Sequence, residues 1–189
     1  MLDIALQFLV DELNTCLTTK TGSDSVRVAM DKVVEHDGKY AFAAESLCAS
    51  IINIEEDRIF KEHLPEYATI NNQHVVLEPE LRLNLYILIA ANFKHYDQAL
   101  KYISYVLTFF QAHPLFTSDE YPALTPTIGR LTMELQSLSF EQLNQVWAFV
   151  GGKQLPSVIY KVRMVALQDK AQAAIQPPLT TISTSIHGR

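Results

Sequence analysis

Only two cysteines, Cys16 and Cys48, occur in the 189 residues, which leaves no material for a disulfide framework beyond a single bridge. Neither belongs to a CxxC pair or stands near a histidine, so a thiolate metal site or a disulfide is the minor reading. Each lies in an apolar pattern, where buried free thiols are found. Basic runs are missing too. The 15 Lys and Arg residues are scattered among 21 Asp and Glu, with no run exceeding two, and the formal net charge is −6. A nucleic-acid surface needs clustered cations to displace counterions, so that partner class is excluded. No apolar run approaches the roughly 18 residues of a membrane span. The opening MLDIALQFLVDEL lacks a basic leader, and Asp3, Asp11 and Glu12 interrupt it where a signal peptide would be uncharged. No Asn-x-Ser/Thr site occurs. A cytoplasmic protein is expected.

What is present is core material. Apolar residues make up 48% of the chain and charged ones 19%, and a chain of this size buries about 70% of its surface on folding, so no staples are needed. Nine Phe and eight Tyr add bulky packing and interface groups. Residues 3–18 carry Ile4, Phe8, Leu9, Leu13, Cys16 and Leu17 at helical spacing, with Asp3 as the expected N-cap. Residues 26–34 alternate weakly and are expected as a strand, followed by a turn at 36–39. Residues 46–57 form an expected strand whose apolar centre fades into acid. Residues 61–79, with Pro65, Asn71, Asn72 and Pro79, are expected to be irregular.

LRLNLYILIAANF (81–93) is apolar on both alternating faces, which places it in the middle of a sheet covered on both sides. A helix is expected over 95–113, with Leu100, Ile103, Val106, Leu107 and Phe110 inward and Pro114 at its end. A loop over 116–129 and a strand over 131–138 follow. Ser139 opens another helix, with Gln142 completing a capping box and Phe140, Leu143, Val146, Trp147 and Val150 on one face. Pro156 introduces a last strand over 157–168. The order strand, helix, strand, helix, strand predicts an α/β (α+β) single domain over 1–168, a mixed sheet flanked by about three main helices. Residues 169–189 change composition and are read as an extended C-terminal arm, in which Leu179, Thr180, Thr181, Ile182, Ser183, Thr184, Ser185 and Ile186 carry no formal charge and suit strand addition to a partner. A disordered tail is the equal alternative for that segment.

Gly151-Gly152-Lys153 resembles a scrap of a phosphate loop. That loop needs GxxxxGK[ST] between a strand and a helix, whereas here the glycines follow a helix and precede a strand. Anions bind helix N-termini, and this is a C-terminus, so a helix stop is the expected role. Trp147 is expected as a core or interface anchor. Glu55 and Asp57 share one side of their strand and Glu56 lies on the other, without a histidine at fixed spacing. His95 and His113 stand about 27 Å apart along their helix and cannot share a metal. No catalytic, cofactor-binding or metal site is predicted, although a hydrolase built on residues 55–57 stays as an alternative.

Four stretches carry a family resemblance. They are INIEEDR (52–58), LNLYILIAANF (83–93), TFFQAHPLFT (108–117) and LTMELQSLSFEQLNQVWAFVGGKQLPSVIYKVRMV (131–165). The pattern, with His113, Pro114, Phe116, Phe140, Glu141, Trp147, Gly151, Gly152, Pro156 and Tyr160 at its most specific positions, resembles the cap (tail-terminator) proteins of extracellular contractile injection systems, phage-tail-like particles. The resemblance covers residues 2–180. It implies a structural, non-enzymatic protein without cofactor, forming a homo-hexameric ring at the baseplate-distal end, where it would stop the inner tube and the outer sheath from growing. It also implies sheath and inner-tube proteins as partners and a C-terminal extension that grips the sheath. This chain ends soon after Pro177-Pro178, whereas longer relatives continue. A tail-completion or baseplate adaptor of the same particle is the alternative. Assembly in the cytoplasm, within a particle that is released or anchored, is the implied location. Expected contact regions are 61–79, 116–129 and the arm.

Overall fold

The computed structural model describes residues 1–57, 66–70, 73–77, 81–125, 128–167 and 174–176. Its elements are α1 (Leu2–Thr21), β1 (Val28–Met30), β2 (Ser46–Glu56), β3 (Glu66–Ile70), β4 (Gln73–Leu77), β5 (Leu81–Asn92), α2 (Tyr96–Ala112), β6 (Leu115–Thr117), β7 (Arg130–Leu135), α3 (Phe140–Val150), β8 (Ser157–Leu167) and β9 (Ala174–Gln176). Three helices and a six-stranded sheet, ordered β1-β2-β5-β8-β7-β6, make an α+β domain. The sheet is mixed because β1 runs parallel to β2 while the other neighbouring pairs are antiparallel. The long strand β5 sits between β2 and β8, as its two apolar faces require.

The two faces bury different sets. Leu83, Leu85, Ile87, Ile89 and Ala91 of β5 pack with α1, α2, Leu47, Tyr160 and Val162. Leu88 and Ala90 point the other way, against Cys48, Ile159, Val33, Phe42 and Trp147 of α3. Alternation along β5 therefore feeds two clusters from one strand. Both sheet edges are three-residue strands, which limits pairing with other chains. Asn14 of α1 further blocks the β1 edge: its side-chain amide donates to the Val28 carbonyl (3.1 Å), and its oxygen accepts from the Val28 N–H (2.8 Å).

Several expectations need correcting. Asp3 is not the N-cap of α1; Met1 holds that place, and the Asp3 carboxylate accepts from its ammonium. Ile4 and Leu100 are 43% and 44% exposed, because the buried stripes run through Ala5, Leu9 and Leu13 of α1 and through Ala99, Ile103, Val106 and Phe110 of α2. Both residues fall on the stripe margins. The strand expected over 26–34 shortens to β1, and the loop over 116–129 begins with β6. Residues 61–79 are not irregular throughout: β3 and β4 form an antiparallel hairpin, joined by β9 as a second, three-stranded sheet. β9 lies inside the segment read as an arm.

Candidate functional site

The histidine-proline-phenylalanine turn after α2 is a packing device. His113 closes α2, its N–H donating to the Phe109 carbonyl at 2.9 Å. The Pro114 carbonyl accepts from the Met133 N–H (2.8 Å), tying the turn to β7. Phe116 is fully buried. Its ring meets Phe8 edge-on at 5.5 Å and Tyr121 at 5.0 Å, and it stacks with His113 at 6.3 Å. Tyr160 reaches the same cluster through Phe110, at 4.8 Å. Burial pushes the Tyr160 hydroxyl up to about 12.

The Gly-Gly-Lys corner is the stop that its position implied. Gly151 caps α3 in the left-handed region (φ 80°), and its N–H donates to the Trp147 carbonyl at 3.1 Å. Gly152 lies so close to Val34 that an added Cβ would sit 2.8 Å from a methyl carbon. The Lys153 carbonyl accepts from the Tyr40 hydroxyl (2.9 Å). One residue group thus joins α3, the 33–42 segment and the entry to β8, where the Pro156 carbonyl accepts from Ala91 N–H at 2.9 Å.

Trp147 is buried at the centre of this second cluster, 4% exposed. Phe140 departs from the burial expected of it. It is 94% exposed, although the helical spacing put it on the inward face. It occupies the first position of α3, and the helix meets the sheet through Leu143, Val146, Trp147 and Val150. Glu141 is exposed and joins neither cluster. Leu179 to Ile186 lie outside the described residues.

The acidic strand end makes structural contacts. Glu55 accepts from the Tyr86 hydroxyl at 2.9 Å and from Asn53 at 3.3 Å. Among the described residues, no three His, Cys, Asp or Glu side chains converge as metal ligands. Cys16 and Cys48 are free thiols. Burial pushes Cys48 up to about 12, far from a reactive thiolate.

Two surface hollows stand out among the described residues. A groove of about 590 Å³ runs beside α3, lined by Ile52, Tyr86, Leu138, Val146 and Phe149 among others. Phe149 is 63% exposed. A second hollow, about 330 Å³, lies at the start of α1, with Ile4, Phe8, Met30 and Ala123 in its lining beside Asp3, Asp11 and Glu12. Sequence reasoning missed both surfaces. The available signal was that α3 has more apolar positions than one narrow contact with a sheet can cover.

The Pvc16 N-terminal domain family matches residues 5–181. The chain belongs to that family. No curated protein matches it. Two solved structures are similar. One is the sheath/tube terminator of PVC, an extracellular contractile injection system, in its extended state, with a TM-score of 0.58 and 13% identity over 95% of this chain and 64% of that one. The other is the anti-feeding prophage cap, a tube-terminating cap, with a TM-score of 0.59 and 14% identity over 93% of this chain and 59% of that one. The chain therefore spans about three fifths of the length of the structures it matches. At such identities the likeness is one of fold.

The Pvc16 N-terminal domain match takes in both clusters, all six strands of the main sheet and β9. It also runs past Gln176, to residue 181 within the segment read as an arm. Among the described residues, no helix of this family member is long and apolar enough to cross a membrane.

Proposed function

We propose that the chain is a structural cap that forms a ring at the baseplate-distal end of a contractile injection particle and there ends the growth of inner tube and outer sheath. The observation that carries this reading is the fold shared, over nearly the whole chain, with a sheath/tube terminator and a tube-terminating cap. Membership of the Pvc16 N-terminal domain family supports it. So does the surface, which offers exposed aromatic and apolar side chains beside shallow hollows, as a protein that works by contact requires. In this reading the role is non-enzymatic, the ring is a homo-hexamer, and its partners are the tube and sheath proteins. Assembly takes place in the cytoplasm. Residues 1–168 form the cap domain, and residues 169–189 reach the sheath through Leu179 to Ile186.

The test is tail length. In a strain lacking this chain, particles imaged by electron microscopy should carry tubes and sheaths of uncontrolled length, and a labelled chain should decorate the end away from the baseplate. Normal lengths without the chain, or label at the baseplate, would overturn the cap role; baseplate label would favour an adaptor.

A further inference from the structure

A ring of like subunits needs two different patches on each copy, one meeting the other head to tail. We infer that the exposed end of α3, Phe149 with Lys153, seats in the acidic hollow at the start of α1 of a second copy of this chain. This rests on the ring reading above and names the contact that would close it.

The donor end of α3 carries an apolar knob and, four residues further along the chain, a cation. Phe149 stands in the last turn of α3 with 63% of its surface in water. Lys153 follows just past the Gly151 cap, exposed and without an ion pair among the described residues. Its backbone is fixed. Gly152 wedges against Val34, and the Tyr40 hydroxyl holds the Lys153 carbonyl. The cation is therefore presented from a backbone held in place, which lowers the entropy lost on docking.

The acceptor patch has the opposite character. Ile4 and Met30 are 43% and 42% exposed in the lining of the hollow, an apolar floor left in water. Asp3, Asp11 and Glu12 stand beside that floor, and among the described residues no Lys or Arg lines the hollow. Two of the acids are engaged: Asp3 with the N-terminal ammonium and Asp11 with the Gln7 amide. Among the described residues, Glu12 has no such partner. Its charge is felt nearby at Tyr121, whose hydroxyl is raised first by burial and then by Glu120 and Glu12. An incoming ammonium would neutralise this excess while the ring covers the floor, pairing apolar with apolar and positive with negative. The helices α1 and α3 pack on opposite faces of the sheet, so one copy's donor cannot meet its own acceptor.

The test is a charge exchange read by light scattering on the full chain over a range of concentrations. Glu12→Lys and Lys153→Glu alone should each raise the concentration for half-assembly about tenfold or more, and the double variant should recover most of the loss. Singles that assemble like the wild type, or a double no better than the singles, would overturn the contact. A variant carrying Ile4→Cys and Phe149→Cys should cross-link on oxidised, assembled particles into a ladder extending beyond dimers. A ladder that stops at dimers, or its absence, also counts against the contact, including where the free chain is monomeric. Docking of the same knob on a tube or sheath protein would leave the single variants' self-assembly unchanged. Failure here with tail length still under control strikes at this contact alone, whereas normal length in the deletion strain strikes at the cap role.

Discussion

At the scale of residues, Trp147 combines good packing with a poor polar account. Its indole nitrogen is buried with no hydrogen-bond partner among the described residues, and an unmet donor of this kind costs about 1–3 kcal/mol. Trp147→Phe removes that donor while keeping most of the ring in the cluster with Cys48, Leu88 and Ile159, so stability should change by less than about 1.5 kcal/mol. Trp147→Ala leaves a cavity and should cost about 3–5 kcal/mol. Urea unfolding midpoints at constant m would separate the two; equal losses would show that the ring's volume is not what matters. A second expectation concerns alkali. Burial raises Tyr160 and Cys48, each to about 12, from ordinary values near 10 and 9. The folded state therefore holds these protons more tightly than the unfolded chain. Their contribution is complete below the unfolded values and is lost as pH climbs toward the folded ones. Stability should fall between about pH 9 and pH 12. Tyr160→Phe should soften that fall, measured as the unfolding midpoint against pH; an unaltered slope would contradict the assignment.

At the scale of elements, α3 shows how closely local chemistry can be read. The Ser139 hydroxyl accepts from the Gln142 N–H (3.2 Å), and the Gln142 side chain accepts from the Ser139 N–H (2.9 Å), the reciprocal box that the sequence predicted. Ser139→Ala should cost about 1 kcal/mol, seen as a lower melting temperature, whereas Ser139→Asp should be tolerated. Helices and long strands were legible because each carries its own period: α2, β5 and β8 all fall within about a residue of expectation. Short strands were not. β1 and β6 have three residues each, too few to show alternation, and they exist because a longer neighbour offers hydrogen bonds. The β3–β4 hairpin was missed for another reason. Ile70 pairs with Gln73 across Asn71-Asn72, and a two-residue Asn-rich connection is a hairpin signal that two flanking prolines obscured. Stripe margins misled in the same way at Ile4, Leu100 and Phe140, where an apolar side chain at helical spacing is necessary for burial but not sufficient.

At the scale of the whole molecule, the candidate site was legible only in part. The spacing of Gly151, Gly152 and Pro156 read correctly as a stop and a strand entry, because backbone chemistry alone decides it. The groove beside α3 and the hollow at α1 depend on how elements separated in sequence approach one another, which no local pattern encodes. The arm is where sequence and structure leave a direct experiment. β9 pairs with β4 in the same chain, His74 opposite Gln176, and Leu179 to Ile186 follow in the sequence after Pro177 and Pro178. A chain cut after Gln176 keeps β9 and every described residue. It should retain its fold, with a melting temperature within a few degrees of the full chain, since a change under about 1 kcal/mol moves a protein of this size by roughly 2–4 °C. It should still assemble with itself, because Phe149, Lys153 and the α1 hollow are intact. What it should lose is grip on the sheath: fewer particles in a complemented deletion strain should carry the cap, and caps should detach when sheaths contract. Particles indistinguishable from those capped by the full chain would sink the sheath-gripping role of residues 179–186.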